Sequence, residues 1–143
     1  MPRVALRERL TGAWRLESFV FTDAGGGKIQ PLGPNPAGYL FITPDDHIAF
    51  NFTARAPPAF ASDDLFAGTT VELAAAAKSF VSFGGPFRID GETFVIDVRY
   101  SLFPNWVGKT QVRVFELNGD ALTLRTLGTA QFAGVPRRGE ATL

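Results

Sequence analysis

Residues 101–126, SLFPNWVGKTQVRVFELNGDALTLRT, constrain the fold more than any other stretch of the chain. They spell a strand end, a wide turn over 104–108, a strand, a tight Asn118-Gly119 turn and another strand. Asn-Gly between alternating apolar runs is the strongest short hairpin signal, because both central residues of the favoured turn need positive φ. A two-residue loop there sets Leu117 opposite Asp120, Phe115 opposite Leu122, Arg113 opposite Leu124 and Gln111 opposite Thr126. One face of the hairpin then carries Gln111, Arg113, Phe115, Leu122, Leu124 and Thr126. An arginine amid an apolar face is the most informative feature of the chain, since a guanidinium taken out of water needs a partner.

The rest of the chain keeps the same period of two. Residues 3–10 suit a short helix, with Leu6 and Leu10 on one side, that plugs one end of the strands after it. Gly12-Ala13-Trp14 opens a strand with Trp14, Leu16, Ser18 and Val20 on one face and Arg15, Glu17, Phe19 and Phe21 on the other. Phe19 and Phe21 therefore need a cover. Residues 23–38, with three consecutive glycines and three prolines, read as loop. Two strands around residues 43–47 put Leu40 and Ile42 on one face with Ile48, Phe50 and Phe52. Residues 54–66 form a second long loop, and loops of this length commonly act as lids; both are expected to frame one open end. Thr69-Thr70-Val71-Glu72 has the form of a capping box opening a helix, whose stripe of Leu73, Ala77 and Phe80 faces the sheet or its mouth. Asp90-Gly91 is a second two-residue turn, setting Ile89 opposite Glu92, Phe87 opposite Phe94, Gly85 opposite Ile96 and Phe83 opposite Val98. Alternation from Phe94 through Ile96 and Val98 brings Tyr100 to the inside. Residues 137–143 offer at most a short closing strand. Seven clear strands and one weak one, joined by hairpins and simple loops, predict an all-β, eight-stranded up-and-down antiparallel barrel with a helix between strands 3 and 4.

Several functions are excluded by what the chain lacks. At 143 residues it fits a single domain over 1–143. Fourteen basic residues balance 14 acidic ones, so nothing points to nucleic acid. There is no cysteine, and the one histidine, His47, falls in a turn, so no metal-ligand spacing and no resident cofactor is expected. No apolar run is long enough to span a bilayer or serve as a signal peptide, which predicts a cytoplasmic protein without a membrane partner; a monomer or a homodimer is expected, with nothing in the sequence to choose between them. No nucleophile elbow, phosphate loop or dinucleotide fingerprint is present.

These pieces resemble the small lipocalin-like domain proteins of bacteria and fungi. The resemblance runs through Gly12-x-Trp14, Gly38-Tyr39-Leu40, Thr43-Pro44-Asp45 and Phe83-Gly84-Gly85-x-Phe87. It is densest at Pro104-Asn105-Trp106-Val107-Gly108 followed by Gln111-x-Arg113. It implies a barrel with an internal pocket. In lipocalins an arginine often stacks on the tryptophan at the barrel base, which offers Trp14 as a structural partner for Arg113. The chain departs from the family pattern at Ile42, Phe83 and Phe87, where tyrosine is usual, and at Ile96-Asp97, where histidines are common. It also lacks the longer last strand, which implies a less complete closure.

Fourteen phenylalanines against two tyrosines suit an interior lined with flat apolar rings. Ile42, Phe50, Phe52, Phe83, Phe87 and Phe94 are the expected pocket wall, with Trp106 at its rim. Arg113, Tyr100 and Gln111, with Ser18 and Thr126, are the candidate polar contacts. Arg113 must meet a carboxylate from elsewhere, backbone carbonyls, the face of Trp14, or an anionic ligand. Three functions fit this pattern. The first is a non-catalytic carrier of a small, mainly apolar, aromatic or acidic molecule. The second is an isomerase or cyclase using a shaped cavity with Tyr100 and Arg113. The third is a structural domain whose barrel is filled by side chains.

Overall fold

The computed structural model describes residues 3–143. It begins with helix α1 (Arg3–Leu10), followed by β1 (Gly12–Arg15), β2 (Ser18–Asp23), β3 (Lys28–Ile29), β4 (Ala37–Ile42) and β5 (His47–Thr53). Helix α2 (Thr70–Lys78) leads into β6 (Phe80–Asp90), β7 (Thr93–Asp97) and β8 (Tyr100–Ser101). A 3-10 turn (Pro104–Trp106) precedes β9 (Thr110–Asn118), β10 (Ala121–Thr126), β11 (Ala130–Phe132) and β12 (Val135–Thr142). All pairings are antiparallel, in the order β1-β4-β5-β6-β7-β9-β10-β12-β2-β3. The short segments β3 and β11 each pair one neighbour only, and β1 with β2 and β7 with β8 are single staves broken by kinks. The twelve segments are therefore eight staves, the number expected for an up-and-down antiparallel barrel.

The first stave closes the ring. Leu16 N–H bonds Gly38 O on the β4 side at 3.0 Å, and Glu17 N–H bonds Thr142 O on the β12 side at 2.8 Å. The kink slips the alternation by one residue: Leu16 is buried, and after it Phe19 and Phe21 turn inward, opposite Ala141 and Gly139. The single-phase reading of this strand is thereby corrected, and Ser18 leaves the interior. Closure is also fuller than expected. Residues 135–142 form a full strand between β10 and β2, and Leu143 extends it, exchanging hydrogen bonds with Leu122 at 2.8 and 3.1 Å. Pro136, two arginines and Gly139 give this segment little strand propensity of its own, but pairing on both sides overrides it.

Both tight hairpins turn one residue later than Asn-Gly and Asp-Gly suggest. Asn118 pairs Ala121 and Asp90 pairs Thr93, so the turns are Gly119-Asp120 and Gly91-Glu92. Only the glycine of each takes positive φ, +59° and +60°, which fits the turn type with glycine at its first central position. The pairing sum moves by two, so the inward faces are unchanged: Arg113 now faces Thr126, Phe115 faces Leu124, and Phe87 faces Ile96.

The closed end is packed solid. Leu10, Leu16, Ile42, Ile48, Phe94, Ile96 and Leu122 are all buried there in one cluster. Helix α1 plugs it as its sequence implies, with Leu6 on the core, Arg7 paired to Asp46 and Arg9 donating to Gly119 O at 2.9 Å. The indole of Trp14 donates to Leu10 O at 2.8 Å and so holds the helix end against the barrel. Trp14→Phe keeps a ring but leaves that carbonyl unpaired, and is expected to cost about 1–2 kcal/mol in urea unfolding. An unchanged midpoint would mean that this bond does not hold the plug.

Helix α2 has the complete capping box: Thr69 Oγ accepts from Glu72 N–H at 3.2 Å, and Glu72 accepts from Thr69 N–H at 2.9 Å. Loop 54–66 leans on this helix start, with Ala61 N–H donating to Glu72 at 2.9 Å. It exposes Leu65 and Phe66 by 80% and 90%. With no ladder partners, its amides are expected to exchange on the order of a hundredfold faster than those of β9 and β10. Equal protection in hydrogen-exchange mass spectrometry would show the loop to be part of the rigid barrel.

Candidate functional site

The other half of the barrel is hollow. A cavity of about 930 Å³ opens there, near the upper end of the roughly 300–1,000 Å³ usual for small-molecule sites. A barrel filled throughout by side chains is therefore not what this sequence builds. Phe50, Phe52 and Phe83 form the wall from β5 and β6, and Phe19 and Phe21 form it from β2. Phe50 and Phe83 stack 4.2 Å apart and 10° from parallel, and Trp106 meets Phe83 edge-on at 4.9 Å. The wide turn seen in the sequence thus places Trp106 in the cavity wall, where the 3-10 turn delivers it.

Arg113 and Gln111 reach the cavity from β9. Gln111 Oε1 accepts from Arg113 Nη1 at 3.1 Å, and Val112 O accepts from the same nitrogen at 3.0 Å. The guanidinium carbon lies 5.6 Å from the Phe83 ring centre and 5.7 Å from that of Trp106, within cation–π range. Trp14 is not its partner. No carboxylate lies within ion-pairing distance of Arg113 among the described residues. The side chain is partly exposed, but to the cavity, and loss of water pulls its pKa down to about 10. It remains a cation at neutral pH. Since burial disfavours its charged form, its cost to folding is present below pH about 10 and is relieved as pH rises beyond that.

Several other polar lining groups already have partners. Thr126 donates to Gly128 O and accepts from Gly139 N–H, both at 3.0 Å. Ser101 accepts from Phe103 N–H at 3.1 Å, and Glu140 is paired to Arg125 at 2.9 Å. On the β9 wall, Arg113 and the amide nitrogen of Gln111 are the open anchoring groups, while Lys78, Thr129 and Gln131 stand elsewhere in the lining.

Four of the expected site residues lie elsewhere. Tyr100 is 47% exposed and sits opposite Gly84 on the outer face. The cause is a bulge: β7 pairs β6 as Phe87 with Ile96, but β8 pairs it as Phe83 with Ser101, one residue out of step. Ser101 thereby takes the inward place, and Tyr100 and Arg113 never share a cavity. The tyrosine crosses Gly84, where a Cβ would strike it and would stand 2.5 Å from Ile48 O. Ile42, Phe87 and Phe94 are buried in the solid half, nearer the closed end than the cavity reaches. The lid expectation is half corrected: Ile29 and Pro31 of loop 23–38 line the cavity, but no residue of 54–66 does. Its place is taken by Ala77 and Lys78 of α2 and by the segment around β11, where Phe132 packs on Phe21 at 4.4 Å. The glycines at 128 and 134 around Ala130-Gln131-Phe132 were the sequence signal for that small hairpin.

No group of acidic, histidine or cysteine residues suited to a metal occurs among the described residues, and no helix there is long and apolar enough to cross a membrane.

The comparisons with known proteins agree with this architecture. A family model for the lipocalin-like domain matches residues 11–140. A 4'-hydroxy-3'-methoxypropiophenone carrier protein from Aspergillus oryzae is 29% identical over 89 residues, which span 57% of this chain and 80% of the fungal one. No solved structure matches the chain. With the closed ring of eight staves, the kinked first strand and nearly the whole length matched, the chain belongs to the lipocalin-like domain family.

Proposed function

We propose that this protein binds and carries a small, mainly apolar, flat aromatic molecule bearing an acidic group, with the ring against Phe50, Phe83 and Trp106 and the acid on Arg113. The observation that carries this reading is the Arg113 cation, which faces an apolar cavity without a carboxylate of its own. A desolvated charge is retained where something compensates it, and an anionic ligand does so. The aromatic character of the cargo named for the Aspergillus relative, a hydroxy-methoxy-propiophenone, supports the flat aromatic part of this reading, and the acidic group rests on Arg113 alone. A carrier also needs no proton-transfer machinery, and Tyr100, the group that an isomerase reading would pair with Arg113, lies outside.

Native mass spectrometry of the full chain purified from its own host tests this directly. The expected result is one retained aromatic acid per chain, together with uptake of 2-naphthoate as a surrogate in calorimetry. A bare chain that takes up no naphthoate would overturn the reading.

The pH dependence is set by Arg113. Naphthoate affinity is expected to be flat from neutral pH to roughly 9, then to fall about tenfold per pH unit above about 10 as the guanidinium loses its proton. Affinity that holds beyond about pH 12, where an ordinary arginine titrates, would remove Arg113 from the site.

A further inference from the structure

We propose that Gln111 determines the charge preference of the cavity: its neutral amide holds Arg113 in place without neutralising it and leaves the Nε–Nη2 edge of the guanidinium open for a carboxylate. The inference rests on the carrier reading and adds the residue that makes the site select an anion.

Gln111 and Arg113 are two apart on β9, so their side chains leave the same face and meet. A guanidinium only donates, so the amide must turn its oxygen to Nη1 and its NH2 group away. With Gln111 Oε1 at 3.1 Å and Val112 O at 3.0 Å, both N–H bonds of Nη1 are taken. Nε and Nη2 bond to no protein atom among the described residues. Nor are they sealed in, because the one buried side-chain nitrogen there without a partner is Arg137 Nε. They therefore open onto the cavity. Two parallel N–H bonds on one edge of the plane are the fork that a carboxylate accepts with both oxygens. Phe83 and Trp106 already crowd the guanidinium carbon, so the edge is the side left for a ligand. An acid at position 111 would stand at the same distance from Nη1 and form a closed ion pair. The amide gives the same orientation and leaves the charge for the cargo.

Calorimetry on the full chain with 2-naphthoate and its uncharged counterpart 2-naphthamide tests this. The wild type is expected to prefer naphthoate by about tenfold or more. Gln111→Glu is expected to lose naphthoate affinity by about tenfold or more, keep naphthamide within about threefold, and so erase the preference. Gln111→Met, which keeps the charge on Arg113 but removes its orienting oxygen, is expected to narrow the preference without abolishing it, and serves if the glutamate variant does not fold. Either variant retaining the wild-type ratio of the two affinities would overturn the role of Gln111. Arg113→Met separates the two assignments. If it abolishes the preference while the Gln111 variants keep the wild-type ratio, only Gln111 is misassigned. If it leaves naphthoate binding intact, or if the wild type has no preference, the carrier reading and the role of Gln111 fall together.

Discussion

Phe94→Ala is expected to destabilise the barrel by about 3–5 kcal/mol, the range for large aromatics removed from a packed core. The ring is 0% exposed, stacks on Phe115 at 4.4 Å and 13°, and meets Phe87 edge-on at 5.3 Å. It sits where β7 pairs with β9, so its loss opens a void among residues from several staves that cannot close over it without disturbing their ladders. Phe50→Ala is the useful contrast. Phe50 is also buried, but it borders a space that is already hollow, so its removal enlarges a cavity instead of creating one. The Phe94 variant is therefore expected to lose more stability in urea unfolding than the Phe50 variant. Comparable losses would mean that the solid and hollow halves are not energetically distinct.

Arg113→Met is the second large effect, and it falls on binding. Methionine keeps much of the stem volume and removes the fork. A desolvated hydrogen bond to a charged group contributes roughly 1.5–3 kcal/mol, so naphthoate affinity should drop by about tenfold or more. Folding should survive, with an equal or higher midpoint at neutral pH, because burial disfavours the charge that has been removed. A purely structural Arg113, bracing Val112 O and the rings of Phe83 and Trp106, makes the opposite forecast of lower stability and intact binding. A clearly destabilised variant with wild-type naphthoate affinity would sink the anchor assignment.

Much of the fold was legible in the chain because its cause is local. Period-two runs separated by glycine, proline and asparagine carry the strands, and Thr69-x-x-Glu72 carries α2. Hairpin position was wrong by one residue at both tight turns, yet the inward faces of β9 and β10 came out right, since the pairing shifted by two. That parity is why Arg113 and Gln111 could be assigned to the interior from sequence; Phe50 and Phe52, whose register about residues 43–47 did not shift, and Phe83 line the cavity with them.

What the chain alone determined, then, is which residues alternate within each unbroken strand. Tertiary structure decided where the alternation breaks and how far the filling extends. The slip after Leu16 turns Phe19 and Phe21 inward, and the bulge before Tyr100 turns it outward. The first left only the two phenylalanines on an otherwise charged face and the second left no mark, because such a break is set by the need of each stave to meet neighbours on both sides. The same holds for β12, a poor strand by composition that forms because β10 and β2 each have an open edge without it. The boundary between solid core and cavity is likewise a matter of closure. Ile42, Phe87 and Phe94 are as apolar as Phe50 and Phe83, and only their distance from the plug of α1, Leu10 and Trp14 makes the first three core and the other two cavity wall.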